Sequence, residues 1–141
     1  MNTVNIARPA DSAVSVKSDR FLRLVLRLDA VATLGSGALM AAGGGLLAEP
    51  TGIPAGAAHG IGAFLVVYAL AVGVLSFRPV INRAAAWTVV GLNTLWVIDS
   101  VATLVAGFWE LTAMGTGFII VMAVVVAAFA ELQYVGIRRL K

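Results

Sequence analysis

The chain has 141 residues, 60% hydrophobic and only 12% charged, with a formal net charge of +3 and a mean hydropathy of +0.97. A soluble domain carries about 25% charged residues, so half that load excludes an ordinary water-soluble protein and points to a membrane. No cysteine is present, which removes disulfides, thiolate metal sites, thiol nucleophiles and lipid attachment at cysteine together.

Residues 1–19 are polar and unpatterned and are expected to form a disordered cytoplasmic tail ahead of a single four-span domain over 20–141. Residues 20–27 read RFLRLVLR, with Arg20, Arg23 and Arg27 on one helical face. Such a segment is an interfacial lead-in, its arginines held at anionic lipid headgroups.

Four continuous apolar stretches follow, at 28–48, 57–77, 84–106 and 113–130. Each is about 18–23 residues, or roughly 27–35 Å as helix, which matches a hydrocarbon core of ~30 Å. The first is too long for a signal-peptide core and no A-x-A-like site follows it, so it is expected to be a retained helix. The stretches do not alternate as barrel strands do, which leaves helix. In the first span Ala30, Gly37, Ala41 and Gly45 fall close to one stripe, and the second span opens with Gly56-x-x-x-Gly60. Small residues let helix backbones approach in lipid, so these positions are expected at the closest contacts. The heptapeptides LDAVATL (28–34) and IDSVATL (98–104) share five residues but lie at different depths. A parallel repeat of hairpins, spans one–two against three–four, fits the loop spacing better.

Every Lys and Arg falls before the first span, in the middle loop or after the last span, while the other two loops carry Glu49 and Glu110 and no base. The positive-inside bias therefore places both termini and the middle loop in the cytoplasm. It also explains the pI near 10.0 without a nucleic-acid partner. The expected fold is an all-α, four-helix transmembrane bundle in a bacterial inner membrane.

Asp29 and Glu131 lie at the inner ends of the first and fourth spans, at a depth similar to Arg27 and Arg138, and are expected to form a cytoplasmic ion-pair belt. Asp99 is different, lying ~10 Å inside the outer end of its helix at 1.5 Å per residue. A carboxylate at that depth costs a few kcal/mol unless protonated, paired or wet, so it is expected to face the bundle interior. Its candidate partners are His59 and Tyr68, with Asn93 and Trp96 extending a polar and aromatic lining. Asp99 is then either a structural tie between helices or a protonatable or cation-binding group in an outward-opening cavity.

One histidine and no cysteine leave no set for haem or zinc, and no G-x-S-x-G is present. No enzyme activity, cofactor or metal is expected.

From RLDA (27–30) to ELQYVGIRR (131–139) the chain resembles a group of small bacterial four-helix membrane proteins, which have a similar opening RLDA and a similar closing E-L-Q-Y-x-G-[LI]-R-R. The resemblance implies the topology and carries no activity. In size and span count the chain is also similar to small multidrug exporters and DoxX-like proteins. The exporters carry a glutamate in the middle of the first span, where residues 38–42 here are all apolar. The expected role is a non-enzymatic accessory or scaffold subunit. Its alternatives are a small proton- or cation-coupled transporter with Asp99 at its site and, third, a DoxX-like subunit of a quinone-linked system. Expected partners are the bilayer, anionic headgroups at the cytoplasmic face, and a second copy or another membrane protein.

Overall fold

A computed structural model describes residues 9–140, with side chains from residue 19 onward. Four helices make up the chain: α1 (Pro9–Thr51), α2 (Ala55–Phe77), α3 (Arg83–Ala106) and α4 (Ala113–Arg139). All four are long and apolar enough to cross a membrane. Each apolar stretch sits inside one helix, and α1 and α4 run well beyond theirs at the end where Arg23 and Arg138 lie. Within the tail expected over 1–19 the backbone is helical from Pro9 on; residues 1–8 lie outside the described residues. Extending a formed helix adds one bond per residue without a new nucleus, and Pro9 is tolerated at a helix start.

Local chemistry sets the turns. Asn82 caps α3 by accepting from the Ala85 amide (3.0 Å), and Thr112 caps α4 by accepting from the Gly115 amide (3.1 Å). Gly107 ends α3 in the left-handed region at φ 64°, donating back to the Thr103 carbonyl. Thr112 also binds α1: its hydroxyl donates to the Pro50 carbonyl (2.6 Å) and its amide to the Thr51 carbonyl (3.1 Å). At the other end Arg23 closes α2. Its guanidinium donates to the Ser76, Arg78 and Pro79 carbonyls at 2.6–2.9 Å, and its Nε pairs with Asp19 at 2.7 Å. Carbonyls that a helix end would leave orphaned are satisfied this way.

The helices form an incomplete ring. α1 packs most heavily on α2 and also against α4, α4 packs on α3, and α2 and α3 barely touch. Leu22 of α1 packs on Gly136 of α4, so the basic ends of these two helices lie at the same end of the bundle.

The tight α1–α2 contact follows from missing side chains. A Cβ on Gly62 would overlap the Ala41 backbone, and one on Gly37 would come within 2.8 Å of the Leu65 Cβ. Gly44 makes room for the His59 ring, whose Nδ1 would lie 3.0 Å from an added Cβ. Close packing was expected at Gly37, Ala41, Gly45, Gly56 and Gly60. Gly37 and Ala41 do face α2, whereas Gly45, Gly56 and Gly60 have open space where a Cβ would go. The correction is one of period. At 3.6 residues per turn a constant spacing of four drifts around the helix, so the contact stripe runs 37, 41, 44 on α1. On α2 the buried face is Ala58, Gly62, Leu65, Ala69, Val72, and Gly56 and Gly60 lie off it.

The apolar core is divided in two. Leu22, Leu26, Ala30, Val72, Ala86, Val89 and Ile137 cluster at the basic end, and Met40, Ile53, Ala58 and Leu65 at the other. Between them on every helix lies a polar residue, described below.

The glycine contact predicts a contrast between neighbours on α2. Gly62→Leu is expected to destabilise the bundle in detergent by about 1–3 kcal/mol, the range for overpacking, while Gly60→Leu leaves the melting temperature close to wild type. Equal thermal stability of the two variants would overturn the assigned α1–α2 contact.

Candidate functional site

The two core clusters are separated by a layer of polar side chains. Asp29 and Thr33 come from α1, Tyr68 from α2, Asn93 from α3 and Gln133 from α4. Asp29 and Gln133 are wholly buried and Asn93 nearly so. The Asp29 carboxyl is the hub. Its Oδ2 accepts from Asn93 Nδ2 (2.9 Å) and from Gln133 Nε2 (2.6 Å), and its Oδ1 accepts from the Thr33 hydroxyl (3.0 Å). Asn93 Nδ2 also donates to Gln133 Oε1 (3.0 Å), and Asn93 Oδ1 accepts from the Tyr68 hydroxyl (2.8 Å). Every helix thus contributes to one connected network. Buried polar groups are costly only when unpaired, and this set is paired throughout.

This arrangement reassigns the ionisable residues. The cytoplasmic ion-pair belt of Asp29, Glu131, Arg27 and Arg138 does not form: the one salt bridge among the described residues is Arg23–Asp19. Asp29 lies two positions from Arg27, a turn of roughly 200° around the helix, so the arginine is exposed while the acid points inward. The arginines rest instead on aromatic faces, Arg27 over Phe77 (4.5 Å), Arg138 over Tyr134 (5.6 Å) and Arg139 over Phe21 (5.5 Å). Glu131 is exposed beside a groove between α3 and α4 lined by Thr94, Ala127 and Tyr134.

The missing α2–α3 contact leaves a cleft of about 340 Å³ that opens sideways from the bundle. Phe64, Leu65 and Tyr68 form one wall, Asn93, Trp96 and Asp99 the other, and Met122 and Val126 of α4 the floor. Trp96 and Asp99 also border a smaller cavity of about 60 Å³ towards Trp109 and Phe118. Asp99 is exposed and makes no hydrogen bond or ion pair among the described residues. Trp96 Nε1 is the single buried side-chain nitrogen or oxygen among the described residues that lacks a partner. The two side chains stand at i and i+3, roughly 5–6 Å apart at Cβ. Both side chains line the one apolar cleft, the Trp96 Nε1 itself being buried and the Asp99 carboxyl exposed.

Of the polar site expected around Asp99, four members come together here: Asp99, Trp96, Tyr68 and Asn93 line the same cleft. His59 does not join them. Its Nδ1 bonds the Ala41 carbonyl (2.7 Å), because Gly44 leaves space for the ring on the α1 side. Thr33 and Gln133 were not anticipated. Gln133 falls beyond the apolar stretch ending at residue 130, and only the continuation of α4 to Arg139 brings it to core depth. Gln133 Nε2 joins Asp29 across the bundle, so the RLDA and ELQYVGIRR motifs, 104 positions apart at this pair, meet physically. Among the described residues no group of three His, Asp or Glu side chains could hold a metal ion.

Comparison with protein-family models, curated proteins and solved structures finds no match to this chain.

The network makes a prediction about Asp29. One of its oxygens receives both amides and the other only a hydroxyl, which can rotate to accept. Asp29→Asn therefore keeps each bond, with the new amide donating to Thr33, and is expected to fold with near wild-type stability. Asp29→Leu strands Gln133 Nε2, the Thr33 hydroxyl and one of the two Asn93 Nδ2 hydrogens, at about 1–3 kcal/mol for each buried group left unpaired. Thermal unfolding in detergent reads both, and a stable Leu variant would sink the hub role.

Proposed function

We propose that this chain is a multi-pass membrane protein that takes a lipophilic cation from the bilayer into the α2–α3 cleft. The carrying observation is the Asp99 carboxyl, exposed and without a partner among the described residues, on an apolar and aromatic cleft wall beside Trp96. A carboxyl in an apolar setting attracts a cation, and the Phe64, Tyr68 and Trp96 rings beside it add cation–π attraction. The sideways opening suits entry from lipid. No side chain arrangement here suggests covalent chemistry, and the reading is non-enzymatic. Proton- or cation-coupled transport is its natural extension, with Asp99 alternately holding ligand and proton.

A second reading rests on the width of the same opening. An accessory or scaffold subunit would use the α2–α3 gap to seat a partner's transmembrane helix. The ligand test separates the two. Diphenhydramine carries two rings, an ether oxygen and a tertiary ammonium, and its neutral benzhydryl ether analogue lacks the charge. In lipid nanodiscs the wild type is expected to bind the ammonium compound saturably and the neutral analogue at least tenfold more weakly. Asp99→Asn is expected to remain folded, since Asp99 supports no other residue, and to lose that preference. Equal binding of the two compounds, or an unchanged preference in Asp99→Asn, would overturn the ligand reading in favour of the scaffold.

We also propose that the basic end faces the cytoplasm of a bacterial inner membrane, supported by the one-sided placement of Lys and Arg. Phe108 and Val80 are exposed at opposite ends. Cysteine at Phe108 is expected to react with an impermeant maleimide in intact cells, and cysteine at Val80 only after permeabilisation. The reverse pattern would invert the topology.

A further inference from the structure

Arg27 and Arg78 stand at the mouth of a second, separate groove, on the α1–α2 side of the bundle. It has a volume of about 680 Å³ and is almost entirely apolar below the two guanidinium groups. We propose that this groove is a specific site for one anionic phospholipid, with its phosphate between Arg27 and Arg78 and an acyl chain in the trough. The inference is independent of the cleft between α2 and α3.

The trough exists because its floor is made of small residues. Ala30 of α1 faces Ala69 and Gly73 of α2, and a Cβ on Gly73 would only just reach the Ala30 Cβ, at 4.0 Å. From Ala69 to Phe77 the floor runs about 12 Å along α2, parallel to the direction a lipid chain takes. Both walls are aliphatic, and the trough ends at the arginines rather than at another apolar surface.

The charges at the mouth are placed and unneutralised. Neither Arg27 nor Arg78 forms a salt bridge among the described residues, and both are exposed. Arg27 is held over the Phe77 ring at 4.5 Å, which fixes it at the rim. Arg78 is presented by its backbone. Arg23, sitting beneath, spends its donors on the Ser76, Arg78 and Pro79 carbonyls and on Asp19, so it pins this loop and has little left for a ligand. Two cations above an apolar trough match the two parts of an anionic phospholipid, a phosphate that bonds guanidinium well and a chain that needs apolar cover. Zwitterionic lipids share the chain but carry no net charge, and free phosphate shares the charge but not the chain.

Purified, delipidated protein is titrated with phosphatidylglycerol, phosphatidylcholine and inorganic phosphate, and bound lipid is counted by native mass spectrometry. One phosphatidylglycerol is expected to be retained well beyond the rest, with phosphatidylcholine weaker and millimolar phosphate unable to displace it. Arg27→Gln with Arg78→Gln is expected to weaken that first binding event about 30-fold. Arg138→Gln with Arg139→Gln removes the same charge from the same end and is expected to change it less than about threefold. Val74 is exposed and lines the trough, so Val74→Trp fills it without touching the core and is expected to block binding with both arginines intact. Thermal melts confirm that each variant is folded. Equal losses in the two arginine pairs, full binding by Val74→Trp, equal retention of the two lipids, or displacement by phosphate would each overturn the site and leave only a diffuse basic surface.

Discussion

A carboxyl group buried at the centre of an apolar bundle has to be met by donors, and here two of the three come from other helices. Asp29 satisfies that demand with amides from α3 and α4 and a hydroxyl from its own helix. In lipid, apolar side chains gain little by leaving the tails for each other, so packing alone specifies the rotation of a helix weakly. Directional bonds do what hydrophobic burial cannot. Because Asn93 and Gln133 also bond one another, α3 and α4 are tied together as well as to α1. The depth of α3 and α4 follows, since Asn93 and Gln133 lie between the first cluster and the partly buried Trp96 and Phe118 that pack on the second.

The fourth helix is attached by other means. α2 reaches the network only through the Tyr68 hydroxyl, and its main attachment is the backbone contact of Gly62 with α1. That contact is at its tightest where side chains are absent, which draws α2 towards α1 and away from α3. The gap between α2 and α3 is thus the geometric consequence of a glycine-packed pair meeting a hydrogen-bonded trio. Side chains bordering such a gap need not interlock, and among the described residues the Trp96 Nε1 and the Asp99 carboxyl have no partner.

Helix number and apolar length were legible because they depend on sums over long segments. Which face a residue takes was less so. Gly37 and Gly60 look alike in a spacing argument, yet one lies against α2 and the other meets open space, because real contact stripes alternate steps of three and four. Depth was misjudged for Asp29, and Gln133 was passed over, for a single reason. Hydropathy marks a span's end at the first polar residues, whereas α1 and α4 continue past that point with arginines whose long side chains reach back to the interface. Residues read as interfacial thereby become central. The Asp99 cleft was legible in its members Tyr68, Asn93 and Trp96, but His59 was drawn in by being the sole histidine, and the position of Gly44 decides its fate instead.

The two aspartates in LDAVATL and IDSVATL show how far local similarity can mislead. Asp29 is fully buried with three donors, and Asp99 is exposed in a cleft with none. If α1 and α3 are counterparts in a repeat of hairpins, the residue on α3 that occupies the place of Asp29 is Asn93, which shares its network, and not Asp99. The heptapeptides are therefore out of register with the architecture by almost two helical turns, about six residues. What separates the acids is therefore the company each helix keeps. α1 is flanked by α2 and α4 and has inward neighbours along its length, so its acid finds amides. α3 has only α4 as a close neighbour, so an acid on its open side meets whatever enters the gap.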